Sequence, residues 1–214
     1  MTDAKWMKRV FNRTALARVI RYCVGPALLF YLVCLAVGTI GGMSMIEMLR
    51  DPAQQTGQSS FLGFVSSIGT WLWLSAAVFC FFRVAIWPGA EPAAHKTLLK
   101  LACGFSLFLA VDDFFLIHDR YITEGILIPA YALFLAYLIK RFWGLISDID
   151  GTAFLTAGGM LFMSVLVDAT QEILPISYGA SQALEEGFKF LGAAAWAYFC
   201  FRIAAWGLST NHVN

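Results

Sequence analysis

Long apolar runs constrain the fold of this chain more than any other feature of its sequence. Six segments are mainly apolar over about 20 positions each, the length at which an α-helix crosses the hydrocarbon core of a bilayer. Hydrophobic residues make up 59% of the 214 residues, and the mean hydropathy is +0.70. Because backbone polar groups in lipid must be hydrogen-bonded internally, we predict an all-α, polytopic membrane helix bundle.

Turn residues separate the apolar segments and give the approximate bounds of six transmembrane helices. Pro88-Gly89 follows the second, Pro129 predicts a kink in the fourth, and Ser181 is a suitable N-cap for the sixth. The predicted spans are residues 23–43, 61–87, 97–119, 123–143, 152–174 and 182–206. The predicted organisation is therefore a cytoplasmic segment 1–21, a six-span domain 22–207 and a cytoplasmic tail 208–214.

The first 21 residues mix basic and apolar side chains. Six of them are Lys or Arg, and Trp6, Val10 and Phe11 are among the apolar residues between them. This pattern is typical of a basic amphipathic helix that lies on an anionic membrane surface. The alternative interpretation is a charge cluster that only sets the topology.

Lys and Arg residues fall mainly on one side of the predicted spans. Twelve of the fifteen lie at the N-terminus or at the loops and helix ends of that side, and only Arg50, Arg120 and Lys189 lie on the other. The positive-inside rule predicts that the N-terminus and C-terminus are cytoplasmic. His95 and His212 are expected to be exposed on the cytoplasmic side.

Acidic residues show the opposite distribution, since ten of the fourteen lie toward the outer side. Asp and Glu contribute little to membrane topology, so this asymmetry needs its own explanation. Each charged group near the middle of a span costs roughly 2.5–3.5 kcal/mol on insertion scales. Eight polar groups from three spans are predicted at similar depth: Asp112, Asp113 and His118 on the third, Asp168 and Glu172 on the fifth, and Glu185, Glu186 and Lys189 on the sixth.

Carboxylates that lie close together in a medium of low dielectric must be protonated, paired with cations of the chain or bound to a metal ion. We predict a divalent metal ion, either Zn, Ca, Mn or Fe, because such donor sets suit these ions. The predicted ligands are Asp112, Asp113, His118, Asp168 and Glu172. The structural alternatives are solvation of Asp119, pairing of Asp113 with Arg120, and a surface ion pair between Glu185 or Glu186 and Lys189.

Three functions are compatible with these residues. The first is metal-dependent hydrolysis of a membrane lipid or other amphiphile, with Glu185 or Glu186 as general base and Lys189 stabilising negative charge. The second is a cation-binding or transport module, since acids inside membranes commonly mark ion pathways. The third is an accessory subunit of a membrane complex. A second copy of the chain, in a homo-oligomer, is the alternative to a membrane-complex partner. The expected partner is membrane lipid and not nucleic acid.

Two motifs carry a resemblance to known families. Asp112-Asp113-x4-His118-Asp119, with Glu185-Glu186-x2-Lys189-x2-Gly192, resembles a family of small bacterial multi-pass membrane proteins. That family reads Asp-Glu-x4-His-Glu and Glu-Glu-x2-Glu-x2-Gly, so Lys189 replaces an acid and implies an internal cation. The resemblance also implies the inner (cytoplasmic) membrane of a bacterium. The predicted reaction class is also loosely similar to that of intramembrane metal hydrolases of the ceramidase and adiponectin-receptor group. Their His-x3-His pair is absent from this sequence.

Overall fold

The computed structural model describes residues 14, 17, 19–59, 61–86, 92–173 and 175–208. All secondary structure within these residues is helical, which confirms the predicted all-α class. Four of the described helices are long and apolar enough to cross a membrane, which supports a membrane protein. Contacts divide the chain into two compact units, Met1–Leu62 and Gly63–Asn214.

The first unit contains the first predicted span. A π-helical turn, Ile20–Val24, leads into helix α1, Gly25–Ile40, and no residue of either element is buried. An apolar helix with exposed side chains is the form expected of a segment that faces lipid. Most of the predicted amphipathic segment, residues 1–21, lies outside the described residues.

Two short helices follow α1, between the first and second predicted spans. Helix α2, Met45–Leu49, begins with a capping box in which Ser44 and Glu47 each accept a hydrogen bond from the other's backbone N–H. The bond from the Ser44 backbone lowers the pKa of the Glu47 carboxyl. Helix α3, Pro52–Thr56, begins after Asp51, whose side chain accepts from two backbone N–H groups of α3.

The second unit is a helical bundle around one aromatic core. Its helices are α4 (Phe64–Ala85), α5 (Ala93–Phe115), α6 (Ile117–Arg120), α7 (Glu124–Thr170) and α8 (Tyr178–Ala205). Helix α4 packs against α5 and α8, and α8 packs against α7. Trp196 of α8 is buried at the centre, in ring contact with Phe105, Phe154 and Phe199.

Helix α7 reverses direction at Asp150, whose backbone is not helical (φ −169°, ψ 73°). The ring centroid of Phe105 lies 4.5 Å from that of Phe134 and 5.5 Å from that of Trp196. The ring centroid of Trp196 lies 6.0 Å from that of Phe154. A straight helix would instead separate Phe134 and Phe154 by about 30 Å. The element is therefore two antiparallel arms, residues 124–149 and 151–170, which correspond to the fourth and fifth predicted spans.

Asp150 holds this reversal through both of its carboxylate oxygens. Oδ1 accepts a hydrogen bond from the backbone N–H of Ala153 at 3.0 Å, which caps the second arm. Oδ2 lies 3.0 Å from Nη1 of Arg202 on α8. The reversal is thereby anchored to the end of the last helix.

Two expectations about helix ends and exposure are wrong. The sixth predicted helix begins four residues earlier, because Ser177 and not Ser181 is its N-cap, and Ser181 is buried.

His95 is completely buried, and its Nε2 lies 2.7 Å from the carbonyl oxygen of Ile203. This carbonyl belongs to the last turn of α8, where carbonyl groups lack intrahelical hydrogen-bond partners, and His95 supplies a partner for it. His212 lies outside the described residues.

Candidate functional site

Asp112 is the centre of a hydrogen-bonded cluster at the end of α5. Its Oδ1 accepts from the backbone N–H of His118 at 2.9 Å and lies 3.0 Å from His118 Nδ1. Its Oδ2 accepts from the hydroxyl of Tyr131 on the first arm of α7 at 2.7 Å. The carboxylate is buried, and these donors replace the water that it loses.

A left-handed residue places His118 beside Asp112. Helix α5 ends at Phe115, because Leu116 takes φ 54° and ψ 47°, and α6 starts at Ile117. The left-handed region costs a non-glycine residue roughly 1–2 kcal/mol, so this turn is strained. The third predicted span, residues 97–119, is therefore not one continuous helix. Nothing is described of the Asp119 side chain.

Asp113 forms the second polar cluster with residues of two other helices. Its Oδ1 lies 2.7 Å from Nζ of Lys189 on α8, and its Oδ2 accepts from the hydroxyl of Thr70 on α4 at 2.9 Å. Asp113 is buried in this position. Its partner is therefore Lys189 and not Arg120, the partner that we considered from the sequence.

A chain of amides joins Asp168 and Glu185 across the loop between α7 and α8. Gln171 Nε2 donates to Asp168 Oδ1 at 3.2 Å, and Gln182 Nε2 donates to Glu185 Oε2 at 2.8 Å. Gln182 Nε2 also lies 3.5 Å from Gln171 Oε1. The two carboxylates are thus held near each other by neutral groups.

These groups surround one end of a cavity of about 250 Å³ inside the second unit. Its polar lining includes Asp112, Asp113, His118, Glu124, Ser164, Asp168, Glu185 and Lys189. Its apolar lining includes Phe105, Leu109, Ile128, Leu135, Leu161 and Val165.

The charged groups lie at the same end of the cavity on α5 and on both arms of α7. Asp112 follows the apolar lining residues of α5, whereas Glu124 precedes those of the antiparallel first arm of α7. Asp168 again follows those of the second arm, from Gly158 onward. Ten residues of helix separate Gly158 from Asp168, so the apolar part reaches about 15 Å below the charged end. We call the charged end the mouth of the cavity.

Two of the residues predicted for the site lie outside the cavity lining. Glu172 is exposed and follows the last residue of α7, which places it beyond the mouth. Glu186 is half-buried beside a small crevice that Asp113 and Lys189 also line. The remaining predicted residues meet at the mouth, although they come from different helices.

The predicted metal ligands do not converge as a metal site requires. Both oxygens of Asp112 accept hydrogen bonds from the chain, and Asp113 is paired with Lys189. Among the described residues, no three His, Cys, Asp or Glu side chains are grouped so that they would hold a metal ion. A protein metal site normally needs at least three such ligands, so we derive no step through a metal.

Five uncharged residues contribute polar groups to the site that the sequence does not indicate. They are Tyr131, Thr70, Ser164, Gln171 and Gln182. Each is a common residue type inside an apolar helix or at a helix end, and no motif distinguishes it. Their roles follow only from the contacts between helices.

Comparison with known proteins gives one family match. The model of a family described as Domain of unknown function (DUF8692) matches residues 22–203. No curated protein and no solved structure matches the chain.

Proposed function

The chain belongs to the DUF8692 family, and we propose that it is an integral membrane protein that binds a single-chain amphiphile. The tail lies in the apolar part of the cavity, and the head group lies at the acidic mouth. The observation that carries this proposal is the division of one cavity into apolar walls and a charged end. Concave, mostly apolar sites with a few convergent polar groups are typical of small-molecule binding.

The size and depth of the cavity favour a narrow ligand. Its volume of about 250 Å³ is near the lower limit for sites that bind drug-sized molecules. Ten residues of helix give the apolar part a depth of about 15 Å. One extended alkyl chain matches a cavity of this volume and depth better than a compact ring system does.

We propose further that the protein has six spans, with both termini in the cytoplasm, in the inner membrane of a bacterium. The Lys and Arg distribution supports this orientation, and the reversal at Asp150 supports counting the arms of α7 as two spans. The mouth then opens toward the outer leaflet, from which a lipid-derived ligand enters. A variant whose five native cysteines are replaced by serine can carry one cysteine, at Asp51 or at Asp148, and its accessibility to a membrane-impermeant reagent tests this orientation. Labelling of Asp148→Cys from outside intact cells would contradict it.

Metal-dependent hydrolysis is not part of this proposal. Asp112 lies against His118 and Asp113 is paired with Lys189, so both carboxylates already have partners within the chain. Membrane lipid stays the proposed partner, as a ligand or as the source of one.

A pair of adjacent variants tests the binding proposal. Val165 lines the cavity, whereas its neighbour Leu166 is exposed on the outer face of the same arm. Val165→Phe fills part of the apolar region, and Leu166→Phe adds the same ring outside it. Native mass spectrometry after release from nanodiscs measures retention of a twelve-carbon alcohol. We expect retention by wild type and Leu166→Phe, and about a tenfold loss for Val165→Phe. No retention by wild type, or equal retention by both variants, would overturn the proposal.

A further inference from the structure

We infer that the mouth of the cavity selects amphiphiles whose head group carries a protonated amine. This inference rests on the proposed function and specifies the class of ligand. It follows from the charges at the mouth, from the partners of each carboxylate and from one buried hydroxyl below them.

Two of the carboxylates at the mouth have basic partners within the chain. Asp113 is paired with Lys189, and Asp112 lies against His118 and accepts from Tyr131. A ligand cation would therefore add little stabilisation at Asp112 and Asp113. They also fix Lys189 and His118 at one side of the mouth.

Asp168 and Glu185 have a different environment. Their side-chain hydrogen bonds come from Gln171 and Gln182, which carry no charge. Within the part of the chain that the structure describes, neither carboxylate forms an ion pair. Two carboxylates near an apolar cavity repel each other, and a cation between them removes this repulsion.

Ser164 provides an independent indication of a ligand. It is 7% exposed, lines the cavity and lies one helical turn below Asp168 on the same face of the second arm. Its hydroxyl makes no hydrogen bond to any residue that the structure describes. Buried polar groups are normally hydrogen-bonded, so a ligand group at this depth explains the unsatisfied hydroxyl.

The two observations together define the head group. Asp168 and Glu185 bind the ammonium by charge-assisted hydrogen bonds, and Ser164 binds a neighbouring hydroxyl or carbonyl about 6 Å deeper along the helix. A divalent metal ion fits less well, because two carboxylates and one hydroxyl leave most of its coordination positions empty. An amine needs only two or three acceptors.

The test compares ligands that share one twelve-carbon chain but differ in the head group. Native mass spectrometry from nanodiscs measures retention of dodecylamine, dodecanol, dodecanoate and 2-aminododecan-1-ol. We expect wild type to retain the amine about tenfold better than the alcohol and to exclude the carboxylate. Equal retention of amine and alcohol overturns the amine inference and leaves chain binding intact. Retention of none of them overturns both proposals.

Variants identify the groups that are responsible. The isosteric double change Asp168→Asn/Glu185→Gln should lose about tenfold in amine retention while dodecanol is retained unchanged. Glu172→Gln, outside the cavity, is the matched control and should behave as wild type. Ser164→Ala should lower the retention of 2-aminododecan-1-ol severalfold and leave the retention of dodecylamine unchanged. Displacement of dodecylamine by micromolar Ca²⁺ or Zn²⁺ would identify a metal site instead and overturn the inference.

Discussion

Lys189 is the residue whose removal tests the electrostatics of the mouth most sharply. It bridges α8 to the buried Asp113 of α5, which also accepts from Thr70. Changing Lys189 to Met keeps most of the side-chain volume and removes the charge. We expect a large loss of stability, because the Asp113 carboxylate is then buried without a compensating cation.

The magnitude follows from the geometry of the pair. At an effective dielectric constant of about 20, opposite charges at the observed 2.7 Å attract by about 6 kcal/mol before desolvation is counted. The Asp113 side chain is 5% exposed, whereas that of Lys189 is 30% exposed and reaches solvent. Breaking a buried pair costs about 3–5 kcal/mol, and we expect about 3 kcal/mol for Lys189→Met. Asp113→Asn should cost only about 1 kcal/mol, since the remaining ammonium is partly solvated.

Equilibrium unfolding of the purified protein in mixed micelles measures both single variants and the double variant. The double variant Asp113→Asn/Lys189→Met should be more stable than Lys189→Met alone, because it contains no buried unpaired charge. Lys100→Met, at an exposed position of α5, serves as control and should change stability by less than about 0.5 kcal/mol. Equal losses for the two single variants, or simple additivity in the double variant, would refute the reasoning.

Two further predictions concern groups that hold the arms of α7. Tyr131→Phe should cost about 1–2 kcal/mol, because Asp112 loses a buried hydrogen bond, whereas Tyr137→Phe at an exposed position should be neutral in the same unfolding assay. Asp150→Ala should cost about 2 kcal/mol through loss of the cap and of the ion pair to α8, and the exposed Asp148→Ala should cost less than about 0.5 kcal/mol. A neutral Asp150→Ala would show that the reversal does not depend on this carboxylate.

Much of the helical organisation was predictable from the sequence, because apolar length and turn residues act locally. The spans predicted at residues 61–87 and 182–206 correspond to α4 and α8 with ends shifted by a few residues. The turn predicted between residues 143 and 152 is the reversal at Asp150. Its backbone is irregular at a single residue, so the chain changes direction with hardly a break in the helical pattern.

The local break at Leu116 could not be predicted, and the site depends on it. Leucine is not a residue that favours a left-handed backbone, and the apolar pattern continues through it. A sequence-based helix therefore runs on to Asp119. The observed turn instead folds His118 back onto Asp112. The two side chains then contact each other and are not both available to a metal ion.

The grouping of the carboxylates was predictable, but their pairing was not. Successive helices run in opposite directions, so the position of each acid along its helix predicts that Asp112, Asp168 and Glu185 lie at one level. All three line the same cavity. Which acid meets which cation depends on helix rotation, and rotation is set by packing contacts such as Trp196 with Phe105. Sequence spacing does not determine such contacts.

The most direct test of amphiphile binding is photocross-linking with an alkyl amine that carries a diazirine at the end of its chain. After irradiation in nanodiscs, peptide mapping by mass spectrometry locates the adducts. Binding as proposed predicts adducts on the deep lining residues, such as Phe105 and Leu135, and their loss in Val165→Phe. Adducts confined to exposed side chains such as Leu155, and equal in wild type and Val165→Phe, would contradict it.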